Sequence, residues 1–497
     1  MRVVSAAQMQ QIDRAAQSDG IPGIALMEVA GARGWTAVGE RIDAAASIVF
    51  LVGTGNNGGD ALVMARYAAI EGYTTRVVAV ARPDRLSPSA AQQARVIASI
   101  DVPVTVWDDD PQRAASWIAE CDVIVDGLAG VGISGPLREP AASIVRAAMV
   151  AHAASPASRL CVAIDVPSGV SDTWSEGDPA FCADLTLAMG YPKRSTYQPR
   201  ARRLCGEIHA VALPFAPRSL DDARLQGELI DSDAYRRIVK APLSDTYKYG
   251  RGAVDVYGGS RGRTGAAIMA AESALRSGAG IVRLYADESV YPILAASLVS
   301  VMVIPTDDAP SQSSAADAVV VGPGWGVDRS RDARFAELAE RYVRGVIDAD
   351  ALTVLARLGT KPHLSGWVLT PHPGELARLV SKSTDEVIGG FTDAALEAAR
   401  VYDCVVVAKS HVTHIAGPSG EYAILDGMNA AMGTAGSGDV LAGIIGALLA
   451  SGHAPWDAAR AAVSLHQAAG RVLRGRSGLF LAEELPRVVS ELIDGST

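Results

Sequence analysis

The stretch LVGTGNNGGDALVMARYAAIEG, residues 51–72, decides the fold class of the first half of the chain. An apolar run ends in a turn with four glycines, two asparagines and an aspartate, and an Ala-rich helical pattern follows. A strand, a glycine-rich turn and a helix in this order are typical of a parallel α/β sheet, whose ligands lie beyond the carboxyl ends of the strands. Glycines let backbone N–H groups approach a ligand, and the helix offers its amino terminus to a phosphate. We therefore predict a ligand-binding loop.

The length of 497 residues is too great for one hydrophobic core, so it predicts two or three domains. A formal net charge of −10 argues against nucleic acid or an anionic membrane surface as the main partner. The longest apolar run, VLAGIIGALLASG at 440–452, is shorter than the roughly 20 residues that cross a bilayer. The first residues contain no long apolar stretch, and Ser5 is predicted to cap a helix. We expect a protein that stays in solution in the cytoplasm.

The cysteines are five in number, scattered, and without a C-x-x-C pair. This spacing predicts neither a disulfide framework nor a zinc site, and it fits a reducing cytoplasm. Four of the five are interpreted as core thiols in or beside apolar strands. The five are Cys121, Cys161, Cys182, Cys205 and Cys404.

Short β-rich runs alternate with Ala-rich helical segments along most of the chain. The early runs are continuously apolar, as strands covered on both faces are. They predict a doubly wound, Rossmann-like parallel sheet. The strand candidates of this part are 47–53, 75–81, 122–127, 159–165 and 183–189.

The pattern breaks at 213–245, which is rich in proline and charge and is interpreted as a linker with an irregular entry. Alternation resumes at 252–260 and predicts a second α/β domain. Its further strand candidates are 318–324, 344–350, 367–371 and 404–410. We predict domains at 1–220 and 228–497, with the boundary near 216–228.

Three strand ends of the first domain carry polar loops: VGTGNNGGD (52–60), DGLAGVGISGP (126–136) and IDVPSGV (164–170). Asp165 ends an apolar strand, where burial can tune a carboxyl group for acid–base chemistry. Asn57, Asp126 and Ser168 would offer only oxygen ligands, which suits a hard cation without tight geometry. The structural alternatives are a tight turn in which Asp60 caps the helix, and Asp165 as a cap.

The first loop does not match the usual nucleotide motifs. No Gly-Lys-Ser/Thr follows it, so it is not a Walker A loop. Its letters fit G-x-G-x-x-G, but the acidic residue expected about 20 positions later is absent, since Arg82 and Asp84 come too late. An ordinary dinucleotide redox domain is therefore not expected.

Together the three loops resemble the YjeF amino-terminal domain, the NAD(P)H-hydrate epimerase. The resemblance implies K⁺ ligands at Asn57, Asp126 and Ser168, and places Asp165 at a hydrated nicotinamide. Ala61 departs from the family, which usually has glycine there. The implied dinucleotide site comprises Asn56, Asn57, Gly58, Gly59, Asp60, Gly130, Val131, Gly132, Ile133, Ser134, Gly135, Pro136 and Asp165.

The second domain contains NAAMGTAGSGDVLAGIIGALLASG, residues 429–452, where a glycine-rich turn runs into a helix. The backbone N–H groups of 436–438 can bind an oxyanion, helped by the positive helix end. Asp439 can accept the proton of a hydroxyl that attacks a phosphoryl group. The structural alternative is Asp439 as a helix cap.

This stretch resembles the Gly-Ala-Gly-Asp motif of ribokinase-like kinases. The segments 258–284, 321–326, 346–352, 369–379 and 405–420 resemble the carboxy-terminal NAD(P)H-hydrate dehydratase domain. Epimerase followed by dehydratase is the order of the bifunctional bacterial enzyme. The chain is thus predicted to hold the epimerase at 1–220 and a ribokinase-like, ADP-dependent dehydratase at 228–497.

The resemblance also implies the residue roles in the dehydratase. Asp439 would be the base on the C6 hydroxyl, and Glu375 would help to position Mg²⁺. Without the family, His372 fits a core histidine equally well. Ser410 and Ser437 depart from the family pattern but stay small. The implied hydrated-nicotinamide contacts are Ala266, Gly324, His372 and Asp439, and the implied ADP contacts are Lys409, Ser410, His411, Val412, Thr413 and Gly438.

The expected function is repair of NADHX and NADPHX. The first domain interconverts the R and S hydrates, and the second phosphorylates the S epimer so that phosphate can leave, ADP giving AMP and phosphate. The family implies K⁺, Mg²⁺ and a homotetramer, while the residues themselves choose neither ADP over ATP nor NADHX over NADPHX. Two alternatives stay open: a kinase for a vitamin precursor such as hydroxymethylpyrimidine, and a first domain that is only a binding or scaffold module.

Overall fold

The computed structural model describes residues 1–132, 135–172, 174–216, 226–241, 245–306 and 316–495. The chain divides into two compact units, one containing Arg2–Gln226 and the other Gly227–Thr497. Each unit is built around a sheet with parallel strands and helices, which confirms the predicted α/β class. No helix among the described residues is both long enough and apolar enough to span a membrane.

The first unit contains a sheet in which every neighbouring pair of strands is parallel. Its strands are β2 (Ser47–Val52), β3 (Thr74–Ala79), β4 (Val104–Val106), β5 (Val123–Gly127), β6 (Leu160–Ile164), β7 (Leu185–Met189) and β8 (Glu207–Val211), and a short strand, β1 (Arg2–Val3), precedes them. The helices are α1 (Ala6–Ser18), α2 (Gly23–Gly39), α3 (Asn56–Ile70), α4 (Pro88–Ser99), α5 (Pro111–Glu120) and α6 (Ala141–Ala154). The strand order is β4-β3-β2-β5-β6-β7-β8.

Both faces of this sheet are buried, as the apolar runs predict. Phe50 of β2 packs in one core cluster with residues of α2 and α3, whereas its neighbour Leu51 packs in another with residues of α5 and α6. Successive side chains of a strand point to opposite faces, so a strand covered on both sides has no polar face. Strands β4 and β8 were not predicted, because both lie at sheet edges and neither is continuously apolar.

The predicted helix start at Ser5 is confirmed. Its Oγ accepts a hydrogen bond from the backbone N–H of Gln8 at 3.2 Å, and the Gln8 side chain accepts one from the Ser5 N–H at 2.9 Å. These two bonds form a capping box, which fixes the first turn of α1.

The second unit contains a mixed sheet. Its strands are β9 (Gly227–Ile230), β10 (Ala253–Tyr257), β11 (Ile281–Ala286), β12 (Met302–Pro305), β13 (Ala318–Val321), β14 (Gly345–Ile347), β15 (Trp367–Leu369), β16 (Val405–Ala408), β17 (Val412–Ala416) and β18 (Tyr422–Asp426). They lie in the order β9-β18-β17-β16-β15-β14-β13-β10-β11-β12. The pairs β16–β17 and β17–β18 are antiparallel, and the other pairs are parallel.

The interpretation of 213–245 as a linker needs one correction. Residues Gly227–Ile230 form β9, which pairs in parallel with β18 from Tyr422 onwards. This strand has only four residues and is flanked by charged residues, so its pattern is too short to be recognised in sequence.

The helices of the second unit are α7 (Thr264–Arg276), α8 (Tyr291–Ser297), α9 (Ser330–Arg341), α10 (Ala349–Arg357), α11 (Pro373–Val380), α12 (Thr384–Gly389), α13 (Phe391–Tyr402), α14 (Ser437–Ala450), α15 (Pro455–Ser477) and α16 (Leu485–Asp494). Helix α14 is buried from Val440 to its end. It packs closely on α7: a Cβ at Gly443 would collide with the Ala270 carbonyl, and the Ser273 hydroxyl donates to the Val440 carbonyl at 2.7 Å. This packing fixes the position of the glycine-rich turn before α14.

Candidate active sites

A cavity of about 500 Å³ lies at the carboxyl edge of the first sheet. It is bounded by the turns that follow the neighbouring strands β2 and β5. From β2 the sheet extends in one direction through β3 and β4, and from β5 in the other, so the cavity lies where the strand order reverses. The side chains or backbones of seven predicted site residues line it. These are Asn56, Asn57, Asp60, Gly130, Val131, Gly132 and Asp165.

The remaining predicted residues of the first site lie elsewhere. Gly58 and Gly59 are buried in the first turn of α3, where a Cβ would collide with the Gly53 backbone or the Met27 side chain. These two glycines permit close packing beneath the loop. Gly135 and Pro136 do not line the cavity. Ile133 and Ser134 lie outside the described residues.

The alternative in which Asp60 caps α3 is wrong. The helix begins at Asn56 with Gly55 as its N-cap, so Asp60 lies one turn inside it. Its carboxyl group lines the cavity. Burial raises the pKa of Asp60 well above its usual value, and the neighbouring carboxylates of Asp165 and Asp13 raise it further.

Asp165 follows β6 and forms a buried ion pair with Lys193. Its backbone is in the left-handed region, with φ of 68°, which aspartate tolerates better than most residues. The Lys193 side chain is only 1% exposed, and its Nζ also donates to the Met189 carbonyl at 2.6 Å. The Met189 N–H donates to Asp165 Oδ1 at 3.3 Å. The strand ends therefore hold a desolvated charge pair at the wall of the cavity.

Sequence reasoning missed Lys193 and Asp13, which both line this cavity. Lys193 follows β7, so the rule that found Asp165 at a strand end also applies to it. Asp13 lies on α1 and carries no such signal. Burial raises the pKa of Asp13 to about 6; Lys193 opposes this effect and Asp165 adds to it. The cavity therefore combines one ammonium group with three carboxyl groups.

The predicted potassium ligands Asp126 and Ser168 are in direct contact. Asp126 is fully buried, and its two oxygens accept from the Ser168 hydroxyl at 2.6 Å and the Ser168 N–H at 2.8 Å. Asn57 is anchored because its Nδ2 donates to the Ile164 carbonyl at 3.1 Å. Burial raises the pKa of Asp126 to about 6, although its hydrogen bonds oppose that shift.

This set fits a hard cation. Within the described part of the chain, Asp126 forms no ion pair with a basic side chain, so its buried charge has no protein counterion. The donors are carboxylate, hydroxyl and amide oxygens, which suit an alkali or alkaline-earth ion and not a soft metal.

In the second unit, Asp439 occupies the first turn of α14. Gly436 is the N-cap of that helix, with φ of 96°, and Asp439 is the third helical residue, so the alternative of Asp439 as N-cap is wrong. Burial raises the pKa of Asp439 to about 7, Asp348 raises it too, and Lys409 lowers it. Asp439 is thus placed to change protonation state near neutral pH.

Lys409 and Asp348 form the centre of this second site. Lys409 Nζ donates to Asp348 Oδ1 at 2.6 Å, and the Thr370 hydroxyl donates to the same oxygen at 2.7 Å. Asp348 is 1% exposed. A Cβ at Gly438 would lie 3.1 Å from Lys409 Nζ, so the absence of a side chain there keeps the ammonium group open toward the turn. Asp348 was not predicted as a site residue, although it lies directly after β14.

His372 is the N-cap of α11 and not a core histidine. Its Nδ1 accepts from the Gly374 N–H at 3.1 Å, and its side chain is 55% exposed. Glu375 completes a capping box by accepting from the His372 N–H at 2.8 Å. Burial raises the pKa of Glu375 to about 7. Burial and nearby Lys409 lower the pKa of His372, so both groups belong to the electrostatic environment of Lys409.

The other predicted residues of the second unit have no direct contact with the Lys409–Asp348 pair among the hydrogen bonds and ion pairs of the described residues. Gly324 lies in a turn with φ of 62°, where a Cβ would collide with the Arg263 carbonyl. Arg263 forms an ion pair at 2.7 Å with Asp350, whose charge also raises the pKa of Asp439. Ala266 lies in the first turn of α7.

The predicted ADP segment forms the turn between β16 and β17. Ser410 and His411 lie in this turn, with the Ser410 hydroxyl 3.2 Å from His411 Nδ1. Val412 and Thr413 begin β17, and the Val412 side chain is fully buried. Val412 as a whole is buried and pairs with Asp426 of β18, so Ser410 and His411 are the more accessible part of this segment.

Comparison with known proteins gives consistent matches. A family model described as YjeF-related protein N-terminus matches residues 23–195, and one described as NAD(P)H-hydrate dehydratase matches 254–491. The bifunctional NAD(P)H-hydrate repair enzyme Nnr of Thermofilum pendens is 32% identical over 521 residues, which cover 99% of this chain and 97% of the relative. The enzyme of the same name from Coxiella burnetii is 32% identical and covers 97% of each chain.

A solved structure also matches. The ADP/ATP-dependent NAD(P)H-hydrate dehydratase from Bacillus subtilis, co-crystallized with ATP and Mg²⁺, is 25% identical with a TM-score of 0.50, and the match covers 54% of this chain and 99% of that protein. Since relatives above 30% identity match nearly its whole length, the chain belongs to the family of bifunctional NAD(P)H-hydrate repair enzymes.

Proposed function

We propose that this chain repairs hydrated nicotinamide nucleotides in two steps. Residues 1–220 interconvert the R and S epimers of NADHX and NADPHX. Residues 228–497 dehydrate the S epimer to NADH or NADPH with ADP, giving AMP and phosphate. The observation that carries this proposal is Asp439, a partly buried carboxyl group with a pKa raised to about 7 in the first turn of α14. Such a group can act as a base at neutral pH.

In the epimerase site, the substrate carbon C6 bears a hydroxyl group and the ring nitrogen N1. Exchange of configuration proceeds if the hydroxyl loses its proton while the C6–N1 bond breaks and N1 takes up a proton. The resulting aldehyde can then close from either face. This route needs a base and an acid in one cavity, and the first unit supplies both kinds of group.

Asp165 is assigned as the base that accepts the hydroxyl proton, with Lys193 holding its carboxylate in place. Asp13 or Asp60 is assigned as the acid for N1, because burial raises the pKa of each and favours its protonated form. The polar loop residues Asn56, Asn57 and Gly130–Gly132 would hold the rest of the dinucleotide. K⁺ would bind at Asn57, Asp126 and Ser168, where it would neutralise the Asp126 carboxylate and fix the two loops that line the cavity.

In the dehydratase site, Asp439 takes the proton of the C6 hydroxyl as the oxygen attacks the β-phosphorus of ADP. The new O–P bond forms, the bond between the β-phosphorus and the bridging oxygen breaks, and AMP leaves. The C5 proton then passes to solvent as phosphate departs from C6 with the electron pair of the C–O bond, and the 5,6 double bond is restored. Phosphorylation is required because hydroxide is a much poorer leaving group than phosphate.

The backbone amides of Gly436 and Gly438 and the Lys409 ammonium group would stabilise the charge that develops on the phosphoryl oxygens, whereas the Ser437 N–H donates to the Thr434 carbonyl at 3.3 Å. Mg²⁺, when bound, would neutralise further phosphate charge. The carboxyl group of Glu375 is the proposed source of its protein contact. Ala266, Gly324 and His372 would contact the hydrated nicotinamide, and Lys409–Thr413 with Gly438 would contact ADP.

Family membership decides against the two alternatives. The relatives that match nearly the full length are named repair enzymes, whereas neither family model describes a vitamin-precursor kinase or a scaffold. We further propose that the protein acts in the cytoplasm as a homotetramer.

The reaction products test this proposal. The purified chain is incubated with (S)-NADHX, Mg²⁺ and ADP, and products are separated by chromatography. We expect NADH, AMP and phosphate in equal amounts. A stable phosphorylated hydrate without NADH would instead identify the second unit as a simple kinase. Replacement of ADP by ATP in a parallel reaction determines the nucleotide preference.

A further inference from the structure

Three potential metal ligands meet at the edge of the first sheet that is opposite to the cavity. His152 lies in the last turn of α6, Cys161 near the start of β6, and Asp184 directly before β7. Their ligand atoms, a ring nitrogen, a thiol sulfur and a carboxylate oxygen, all lie within 4.8 Å of one another. Cys161 precedes Asp165 by four residues of extended strand, or about 13 Å. This cluster is therefore separate from the epimerase cavity and from the Asp126 set.

A second, independent observation also indicates a ligand at this point. His152 Nδ1 is buried and has no hydrogen-bond partner among the described residues. A buried polar atom without a partner costs free energy, and native proteins rarely leave one in that state. A metal ion bound to Nδ1 would remove this cost.

The backbone at the thiol holds the Asp184 carboxylate in position. The Cys161 N–H donates to Asp184 Oδ2 at 2.8 Å, which fixes the carboxylate beside the thiol. Cys161 is fully buried, so the thiol lies in a place from which water is largely excluded. The Cys182 thiol is near enough for its charge to affect Cys161, and it is partly exposed.

We propose that His152, Cys161 and Asp184 bind one divalent cation of the Zn²⁺ class. Nitrogen, sulfur and oxygen donors together suit a borderline metal with tetrahedral coordination, and the fourth position is left to water. Binding forms one metal–sulfur bond and releases the thiol proton to solvent. The ion joins the end of α6 to the starts of β6 and β7, and its role is structural.

The cation has a route from solvent. Asp184 lines a cavity of about 670 Å³ at this edge of the sheet, together with Asp122. Cys spacing could not reveal this site, because its ligands come from three separate elements and include a single cysteine.

Metal titration of the full chain tests this inference. The protein is treated with a chelator, desalted, and titrated with Cd²⁺, which gives an ultraviolet sulfur-to-metal charge-transfer band on thiolate binding. We expect one equivalent to bind with this band, and Zn²⁺ to displace it. Cys161→Ser should abolish the band. His152→Ala and Asp184→Asn, which keep the thiol, should each weaken the affinity by at least about tenfold.

The matched control is Cys404→Ser, which removes another buried thiol, in the second unit. It should leave the band and the affinity unchanged, and His152→Ala should leave R/S exchange unchanged. Circular dichroism checks that each variant is folded. Absence of a band in the wild type, or its survival in Cys161→Ser, overturns the inference. Equal affinities of the wild type, His152→Ala and Asp184→Asn would also overturn it.

Discussion

The two catalytic aspartates assigned above differ in their surroundings, although each lies at the carboxyl edge of its own sheet. Asp165 directly follows a strand and has a left-handed backbone. It forms an ion pair with the buried Lys193, which pairs with no other carboxylate among the described residues. Asp439 lies in the first turn of a helix, and its nearest lysine, Lys409, is already bound to Asp348. Asp165 is therefore held by a lysine with which it alone forms an ion pair among the described residues, whereas the lysine near Asp439 already pairs with another carboxylate.

This difference matches the two proposed reactions. Epimerisation removes a proton from the substrate hydroxyl and adds one to N1. It therefore needs a carboxylate base, which a cation can hold in place, and a protonated acid nearby. Phosphoryl transfer needs a base that ionises near neutral pH. Burial, together with the carboxyl groups around Asp439, raises its pKa to about 7. The following experiments test whether the two sites are as independent and as different as this comparison requires.

The largest effect is expected for Asp439→Asn. Loss of the base should lower dehydration of the S epimer by about 10³–10⁴-fold, while R/S exchange continues. Recovery of NADH absorbance measures the first activity, and chromatography of the epimers measures the second. Asp457→Asn is the matched control, since Asp457 is also the third residue of its helix but is half exposed. Full dehydration by Asp439→Asn would refute the base assignment.

Asp165→Asn should lower the rate of R/S exchange by about 10²–10³-fold and leave turnover of the S epimer intact. The substitution also leaves Lys193 buried without its carboxylate, so some loss of stability is expected. Intact dehydration shows only that the second unit is folded, so circular dichroism and a thermal melt check that the first unit is folded as well. The control is Asp101→Asn, because Asp101 is exposed and has a similar left-handed backbone with φ of 54°. An unchanged exchange rate in Asp165→Asn would contradict the assignment.

The dehydratase rate should depend on pH through Asp439. Its raised pKa means that the base form is lost as pH falls, so kcat/KM should drop about tenfold per pH unit below 7 and level off above it. Glu375→Gln removes a charge that raises this pKa, so the inflection should move to lower pH. The same inflection in both proteins would show that the carboxyl cluster does not tune Asp439.

The smallest effect concerns potassium. The pKa of Asp126 is about 6 in the folded chain, above its ordinary value of 3.8, so the folded state binds a proton more tightly than the unfolded one. Stability from this group is present below pH 4 and is lost as pH rises through 6. K⁺ should offset that loss. At a pH above 6 it should raise the Tm of the first unit by about 2–4 °C for each kcal/mol that K⁺ binding adds to the free energy of unfolding.

Asp126→Asn should remove the potassium effect on Tm, because the amide has no charge for the ion to neutralise. Na⁺ and a large organic cation serve as ionic-strength controls. Equal Tm values in all three salts, at a pH well above 6, would argue against a cation site at Asp126.

The sequence predicted site residues best where they lie directly after a strand or in the first turn of a helix. The family, the α/β class and the enzyme class are confirmed, and the rule of strand ends placed Asn57 and Asp165 at one cavity. It missed contacts that only folding creates: Asp13 comes from the first helix, and β9 pairs with a strand almost 200 positions later. The sequence also left open whether His372 is a site residue or a core histidine, because its role as a helix cap depends on backbone geometry. The individual site roles and the potassium ligands stay predictions.

The central claim is that two separate aspartates allow both epimers to be repaired. Racemic NADHX is incubated with Mg²⁺ and ADP, and recovery of NADH absorbance is followed to its plateau. We predict complete recovery by the wild type, recovery of about half in the first phase by Asp165→Asn, because only one epimer of a racemate is a substrate, and none by Asp439→Asn. Rapid complete recovery by Asp165→Asn, or a plateau at half for the wild type, would contradict the account.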